Sequence, residues 1–217
     1  MTPHVRFYAD SADTDSIAPL LAGSLIHGVT TNPTILARSQ QTVEDIDNLY
    51  GQWKAAGAKE IFFQTWGSES DQLLRNARRI AALGKDVVVK VPATAIGYPV
   101  AAGLAREGVT VLLTAVYSTA QALAAASIGV RYIAPYLGRI QDANRDGLEL
   151  IGHMHNLLAG SDTDVLAASL RSPEAIVQLA DRGIQLFTAA PSVLWMALQN
   201  DDADRSALEF EAALSSS

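Results

Sequence analysis

Short β-favouring runs recur along the chain at 5–10, 28–32, 60–65, 86–91, 109–116, 131–137, 164–169 and 183–188, eight in all. Between them lie Ala- and Leu-rich stretches with helical spacing. From Asp71 to Leu83, for example, Leu73, Leu74, Ala77, Ile80 and Ala81 share one face, which predicts an amphipathic helix. The run Val87 to Val91 is apolar at odd and even positions alike, as expected of a strand whose two faces are both covered, and this implies parallel pairing. A repeat of roughly 20 to 33 residues is the length of one βα unit. Eight such units predict an α/β fold closed into a (β/α)8 TIM barrel. The alternative is an open, doubly wound sheet, which ordinarily carries a glycine-rich turn after its first strand. Here that strand runs instead into Asp10, Ser11, Ala12 and Asp13, a helix-capping sequence. Glycines such as Gly57, Gly84, Gly108, Gly129 and Gly183 punctuate the units, and no Pro/Ser-rich linker interrupts them. The expected organisation is a single domain, a barrel over 1–200 followed by a short C-terminal helix and tail over 201–217.

Composition narrows the function. The chain has 217 residues, 49% of them apolar, enough for one substantial core. Its 16 Lys and Arg against 23 Asp and Glu give a net charge of -7, the wrong sign for gripping nucleic acid. The absence of cysteine excludes disulfides, thiolate nucleophiles and Cys-ligated metals. No window approaches the ~18 apolar residues of a membrane span, so no membrane partner is expected. The stretch Met1 to Asp10 has no apolar segment behind a basic start, and a cytoplasmic location is the expectation. His153 and His155, two apart in a predicted helix, do not share a face, and His4 and His27 offer no obvious third ligand. Neither metal nor cofactor is expected. Trp53, Trp66 and Trp195 read as core or interface anchors.

In a barrel the chemistry sits at the C-terminal ends of the strands. The last inward-capable residues there are Asp10, Asn32, Gln64, Lys90, Thr114, Tyr136, Ser169 and Thr188. A polar residue closing a strand is ordinarily only the start of a solvated loop. Eight converging on one mouth suggest a pocket. Lys90 is the sharpest of them, because the chain has four lysines and this one alone lies within a β run. Burial disfavours an ammonium, and a neutral lysine amine attacks carbonyls to form a Schiff base. The plainer reading is a lysine that snorkels or pairs with an acid. Asp10 could be that partner or a proton carrier, Tyr136 offers a phenol, and Gln64 and Thr114 could hold a water. Arg139 and Arg171, near Ser169, supply what a phosphate monoester would need.

Asp10, the run Gly28-Val29-Thr30-Thr31-Asn32-Pro33, the run Val89-Lys90-Val91-Pro92, Thr114-Ala115-Val116-Tyr117, and Ala134-Pro135-Tyr136 with Arg139 together resemble the transaldolase family. The resemblance spans roughly residues 5 to 200 and is greatest to the short-chain branch, which includes fructose-6-phosphate aldolase. It implies metal-free, class I aldolase chemistry, with Lys90 matching the Schiff-base lysine, Asp10 and Asn32 the active-site acid and asparagine, and Arg139 and Ser169 the phosphate-binding positions. Arg171 stands where relatives often have another basic residue, and Thr31 and Ala134 fall within matching substrate-binding motifs. Gln64, Tyr136 and Ala134 stand where transaldolases typically have Glu, Phe and often Ser. On that ground the expectation is cleavage of fructose 6-phosphate to dihydroxyacetone and glyceraldehyde 3-phosphate, with Gln64, Thr114 and Tyr136 serving a catalytic water and proton. The alternatives are a transaldolase and a sugar-phosphate binder without turnover. The sequence departs from the family pattern at Ala93 to Pro99 and at Leu113. Its tail, from Asp201, resembles the last helix of relatives, which packs on a neighbouring subunit, so a homo-oligomer, a decamer by resemblance, is expected.

Overall fold

The computed structural model describes residues 5–215; residues 1–4, His4 among them, and 216–217 of the expected tail lie outside the described residues. Eight strands, β1 (Arg6–Asp10), β2 (Gly28–Thr30), β3 (Glu60–Gln64), β4 (Val87–Pro92), β5 (Val111–Val116), β6 (Tyr132–Pro135), β7 (Asp164–Leu170) and β8 (Leu186–Ala189), pair in chain order, and β8 returns to β1 to close a barrel. All pairs are parallel. The connections are helical: α1 (Thr14–Ala22), α2 (Pro33–Arg38) and α3 (Ile46–Ala55), α4 (Ser70–Ala81), α5 (Gly97–Arg106), α6 (Thr119–Ser127), α7 (Leu137–Asp142) and α8 (Gly147–Leu157), α9 (Pro173–Ala180), then α10 (Pro191–Leu198) and α11 (Asp201–Ser215). The expected (β/α)8 barrel is therefore observed, with a C-terminal helix.

Local sequence sets the joints. Asp13, Asn32, Ser118, Asp146 and Ser172 each cap a helix by accepting a backbone N–H, and Pro33 and Pro173 occupy first-turn positions where a missing N–H costs nothing. Two strands end earlier than their hydrophobic runs suggest. β2 stops at Thr30 because Asn32 turns out to cap α2, and β6 stops at Pro135, leaving Tyr136 as a single bridge to Ala168 at the start of α7. In each case polar or aromatic residues with good strand propensity are diverted by the helix that follows.

Side chains alternate between two cores. Outward residues such as Val29, Ile61, Phe63, Val89 and Ile133 pack against the helices, where Trp53 stacks on Phe63 with centroids 5.7 Å apart. Inward residues Tyr8, Phe62, Val88, Leu112, Tyr132, Leu166 and Leu186 fill the barrel. Full burial of each such side chain contributes about 1.5–3 kcal/mol. At the N-terminal end Glu60 accepts from the hydroxyls of Tyr8 and Tyr132 and from Arg6 Nη1, a network that plugs that opening although the buried Nε of Arg6 finds no partner in it. The network needs Gly28, since a Cβ there would lie 1.9 Å from the Glu60 carbonyl oxygen. With Glu60 and its partners across the bottom and the small Ala134 and Ala168 leaving room above, a cavity opens at the C-terminal mouth. Among the described residues, no helix is long and apolar enough to cross a membrane.

Candidate active site

A cavity of about 420 Å³ opens at that mouth. Asp10, Asn32, Lys90, Ala134, Tyr136, Arg139, Ser169, Arg171 and Thr188 all line it. Lys90 projects from β4, where Gln64 and Leu112 are its register neighbours, and only 4% of it is exposed. Burial pushes its amine below the ordinary lysine range, and the nearby charge of Asp10 pulls partly the other way. Among the described residues Lys90 forms no ion pair. A lysine so placed gives up its proton more readily than an exposed one.

Beside it the Thr30 hydroxyl donates to the Asp10 carboxylate at 2.6 Å and lies 2.6 Å from the Thr188 hydroxyl. A hydroxyl has one proton, so with Thr30's committed to Asp10, Thr188 must be the donor to Thr30. The chain of hydroxyls thus has one direction and holds Asp10 in place. Across the mouth Tyr136 and Thr114 share a hydrogen bond of 2.6 Å. Burial raises the Tyr136 pKa, against which the Thr114 bond and Arg139 act, so the phenol keeps its proton at neutral pH. The guanidinium of Arg139 sits over the Tyr136 ring, 4.9 Å from its centroid.

Two backbone irregularities mark the same rim. Ala115 and Ser169 both have φ of 58°, in the left-handed region, where the β5–β6 and β7–β8 registers shift. For residues with a Cβ that conformation costs about 1–2 kcal/mol, and such strain clusters at functional sites. It breaks the alternation just where the strands meet the cavity, and Ser169 lines it.

Some residues stand elsewhere than the sequence suggests. Thr31 does not line the cavity: it is fully buried and donates to the Phe62 carbonyl at 3.0 Å, because the inward position of β2 is Thr30 and its neighbour faces away. Gln64 is half-buried beside Lys90 but does not line the cavity, and Thr114 meets it only through Tyr136. Arg171 lines the rim with its guanidinium already paired to both oxygens of Asp142, at 2.7 and 2.6 Å. Thr30, Arg38 and Asp142 were missed. Period-2 alternation from Gly28 would have found Thr30. Arg38 and Asp142 come from α2 and α7, which are too short to show a periodic signal. The cavity is lined by three arginines, Arg38, Arg139 and Arg171, besides Lys90, against two acids, Asp10 and Asp142, in a chain of net charge -7. Such local inversion suits an anionic ligand. Among the described residues no three His, Asp or Glu side chains gather as a metal site would require.

The family profile described as transaldolase/fructose-6-phosphate aldolase matches residues 7–216. The chain belongs to that family. Similar relatives include a protein named probable transaldolase from Cereibacter sphaeroides, 34% identical over 88% of this chain and 86% of its own. A second so named, from Rhodospirillum centenum, is 31% identical over 96% and 90%. Among solved structures, thiamine phosphate pyrophosphorylase from Pyrococcus furiosus superposes with a TM-score of 0.62 at 17% identity, covering 88% of each chain. A mandelate oxidase variant gives 0.63 at 15%, over 93% of this chain and 70% of its own. These two share the barrel and nothing more specific.

Proposed function

We propose that this protein is a class I enzyme in which Lys90 forms a Schiff base with the ketone of a ketose phosphate. The observation that carries the reading is a buried lysine with no ion pair among the described residues, its pKa lowered by burial, opening on a cavity rimmed by arginines. The amine adds to C2 and water leaves, giving an iminium. A base, for which Asp10 is the nearest candidate, takes the C4 hydroxyl proton. The C3–C4 bond then breaks, an aldose phosphate departs, and the electron pair moves into the iminium to leave an enamine. In the reading favoured by the relatives' name, C3 of the enamine attacks an acceptor aldehyde, whose oxygen takes up a proton. Hydrolysis then frees the new ketose and the lysine.

A second reading, aldolase release, is favoured by the Tyr136 phenol, protonated and hydrogen-bonded at the mouth. Protonation of C3 by that phenol, then hydrolysis, would liberate dihydroxyacetone. Arg139, Ser169, Arg171 and Arg38 are proposed to hold the phosphate, and Asn32 to steady the donor. We infer also that α11, which exposes Leu208, Phe210 and Leu214, serves the expected homo-oligomer.

Borohydride reduction with fructose 6-phosphate should fix a dihydroxyacetone adduct on Lys90, read by mass spectrometry. An unmodified Lys90 at saturating ketose would leave only a sugar-phosphate binder. Consumption of fructose 6-phosphate that requires erythrose 4-phosphate identifies transfer, and dihydroxyacetone appearing without acceptor identifies release.

A further inference from the structure

Arg171 does not simply project from the loop after β7; it is seated on one face of α7. Asp142 grips its guanidinium through both terminal nitrogens, at 2.7 and 2.6 Å. Four residues earlier, on the same face of that helix, Gly138 leaves the space through which the arginine passes. A Cβ at Gly138 would stand 2.7 Å from Arg171 Nε and 2.8 Å from the Ser169 carbonyl oxygen, closer than real Cβ contacts come. Arg171 and Asp142 both line the mouth cavity, Ser169 beside them.

We infer that Gly138 and Asp142 are positioning residues that hold Arg171 in one orientation against α7, so that its remaining N–H groups meet an anionic group in the mouth, and that this seat sets the preference for phosphorylated over unphosphorylated ketoses. The inference rests on the ketose-phosphate reading above. A free arginine loses rotamer freedom whenever it binds, whereas a bidentate carboxylate and a glycine-lined slot fix it beforehand. A guanidinium joined to one carboxylate through one edge still has N–H donors on its other edges for a second acceptor.

The test compares Gly138→Ala, Asp142→Asn and Arg171→Ala with the parent. Half-saturation for Lys90 adduct trapping is measured with fructose 6-phosphate and with fructose, and inorganic phosphate binding is followed by calorimetry. Gly138→Ala and Asp142→Asn should each raise half-saturation for fructose 6-phosphate by about fivefold or more, the scale of one weakened charge-assisted contact. Fructose should stay within about twofold, and phosphate affinity should fall in parallel. In the Arg171→Ala background neither substitution should add to the loss, which a merely structural role would not predict. If Gly138→Ala does not fold, Asp142→Asn carries the comparison. Equal losses with both ketoses, losses that persist without Arg171, or tighter phosphate binding by Asp142→Asn, which would mean the carboxylate competes with the ligand, each overturn the inference. If the parent traps no ketose but binds phosphate through this seat, the seat stands and the ketose reading fails. A parent that takes up neither overturns both.

Discussion

The bond between Tyr136 and Thr114 makes two separable claims that one substitution can test. Tyr136→Phe removes the phenolic oxygen and leaves the Thr114 hydroxyl, 1% exposed, without the partner that lay 2.6 Å away. A stranded buried hydroxyl costs about 1–3 kcal/mol. Tyr136 borders the cavity, so water can reach part of the vacated space, and the lower half of that range, about 1–1.5 kcal/mol, is expected. In a domain of this size that lowers Tm by about 2–5 °C. Thr114→Val in the Tyr136→Phe background should recover most of the loss, and the four proteins should give a coupling energy of about 1 kcal/mol by urea denaturation. The chemical claim is read independently. If the phenol protonates the enamine, Tyr136→Phe should slow dihydroxyacetone release by about 10²–10⁴-fold, the usual worth of a positioned acid. Borohydride-trapped adduct and transfer to an aldose acceptor should change little, since neither protonates C3. Release and transfer falling by the same factor, or a parent with no release at all, would refute the phenol as proton donor. Strictly additive stability losses would refute the hydrogen bond.

Lys90→Met should abolish the adduct without lowering thermal stability, because no ion pair is lost and a buried amine is replaced by an apolar chain. The lowered Lys90 pKa means that the unfolded chain binds more protons between that pKa and 10.5, so the parent's stability gains a contribution that rises with pH across this window; urea titrations at several pH values should show it diminished in Lys90→Met, and adduct formation in the parent should rise through the lower end of the same window. Ser169→Gly relieves a left-handed residue at φ 58° and should gain up to about 1 kcal/mol net of glycine's entropy, whereas Ser169→Ala should gain nothing. Both should raise KM for phosphorylated ketose, and a stability order with Ala above Gly would contradict the strain. Arg38→Ala should raise KM for fructose 6-phosphate severalfold and flatten its salt dependence while sparing fructose, measured from 0.01 to about 0.15 M salt, where screening lengths fall from ~30 to ~8 Å; equal loss for both ketoses would remove Arg38 from the anion site.

The barrel was legible because its cause is periodic. Eight apolar runs at βα spacing cannot bury themselves in many other ways, and Val87 to Val91, apolar on both faces, already requires cover on both sides. Lys90 was legible for the complementary reason, since one charge inside such a run has to be explained. What escaped lay where periodicity ends. The run at 28–32 continues in strand propensity past Thr30, yet Asn32 is worth more as a cap for α2 than as a strand residue, so β2 ends at Thr30; alternation turns Thr31 away from the mouth, and Thr30 stands buried beneath it, holding Asp10. Arg38 and Asp142 belong to helices of six residues, too short for a moment or a face to be read.

The same logic explains why the site takes its rim from irregular pieces. A strictly alternating barrel points only every second residue inward, so neighbours along one strand cannot both face the mouth. The left-handed kinks at Ala115 and Ser169 break that rule in β5 and β7, and the short helices α2 and α7, starting directly after β2 and β6, bring Arg38, Arg139 and Asp142 to the opening without further strand length. The regular part of the fold thus fixes the lysine where water is scarce, and the irregular part surrounds it with cations that would be too costly to bury. If this division is right, substitutions in α2 and α7 should alter which ketose is bound while leaving the Lys90 amine as reactive as before. A change at either helix that altered the pH dependence of adduct formation with unphosphorylated fructose would show that the two parts are not separable.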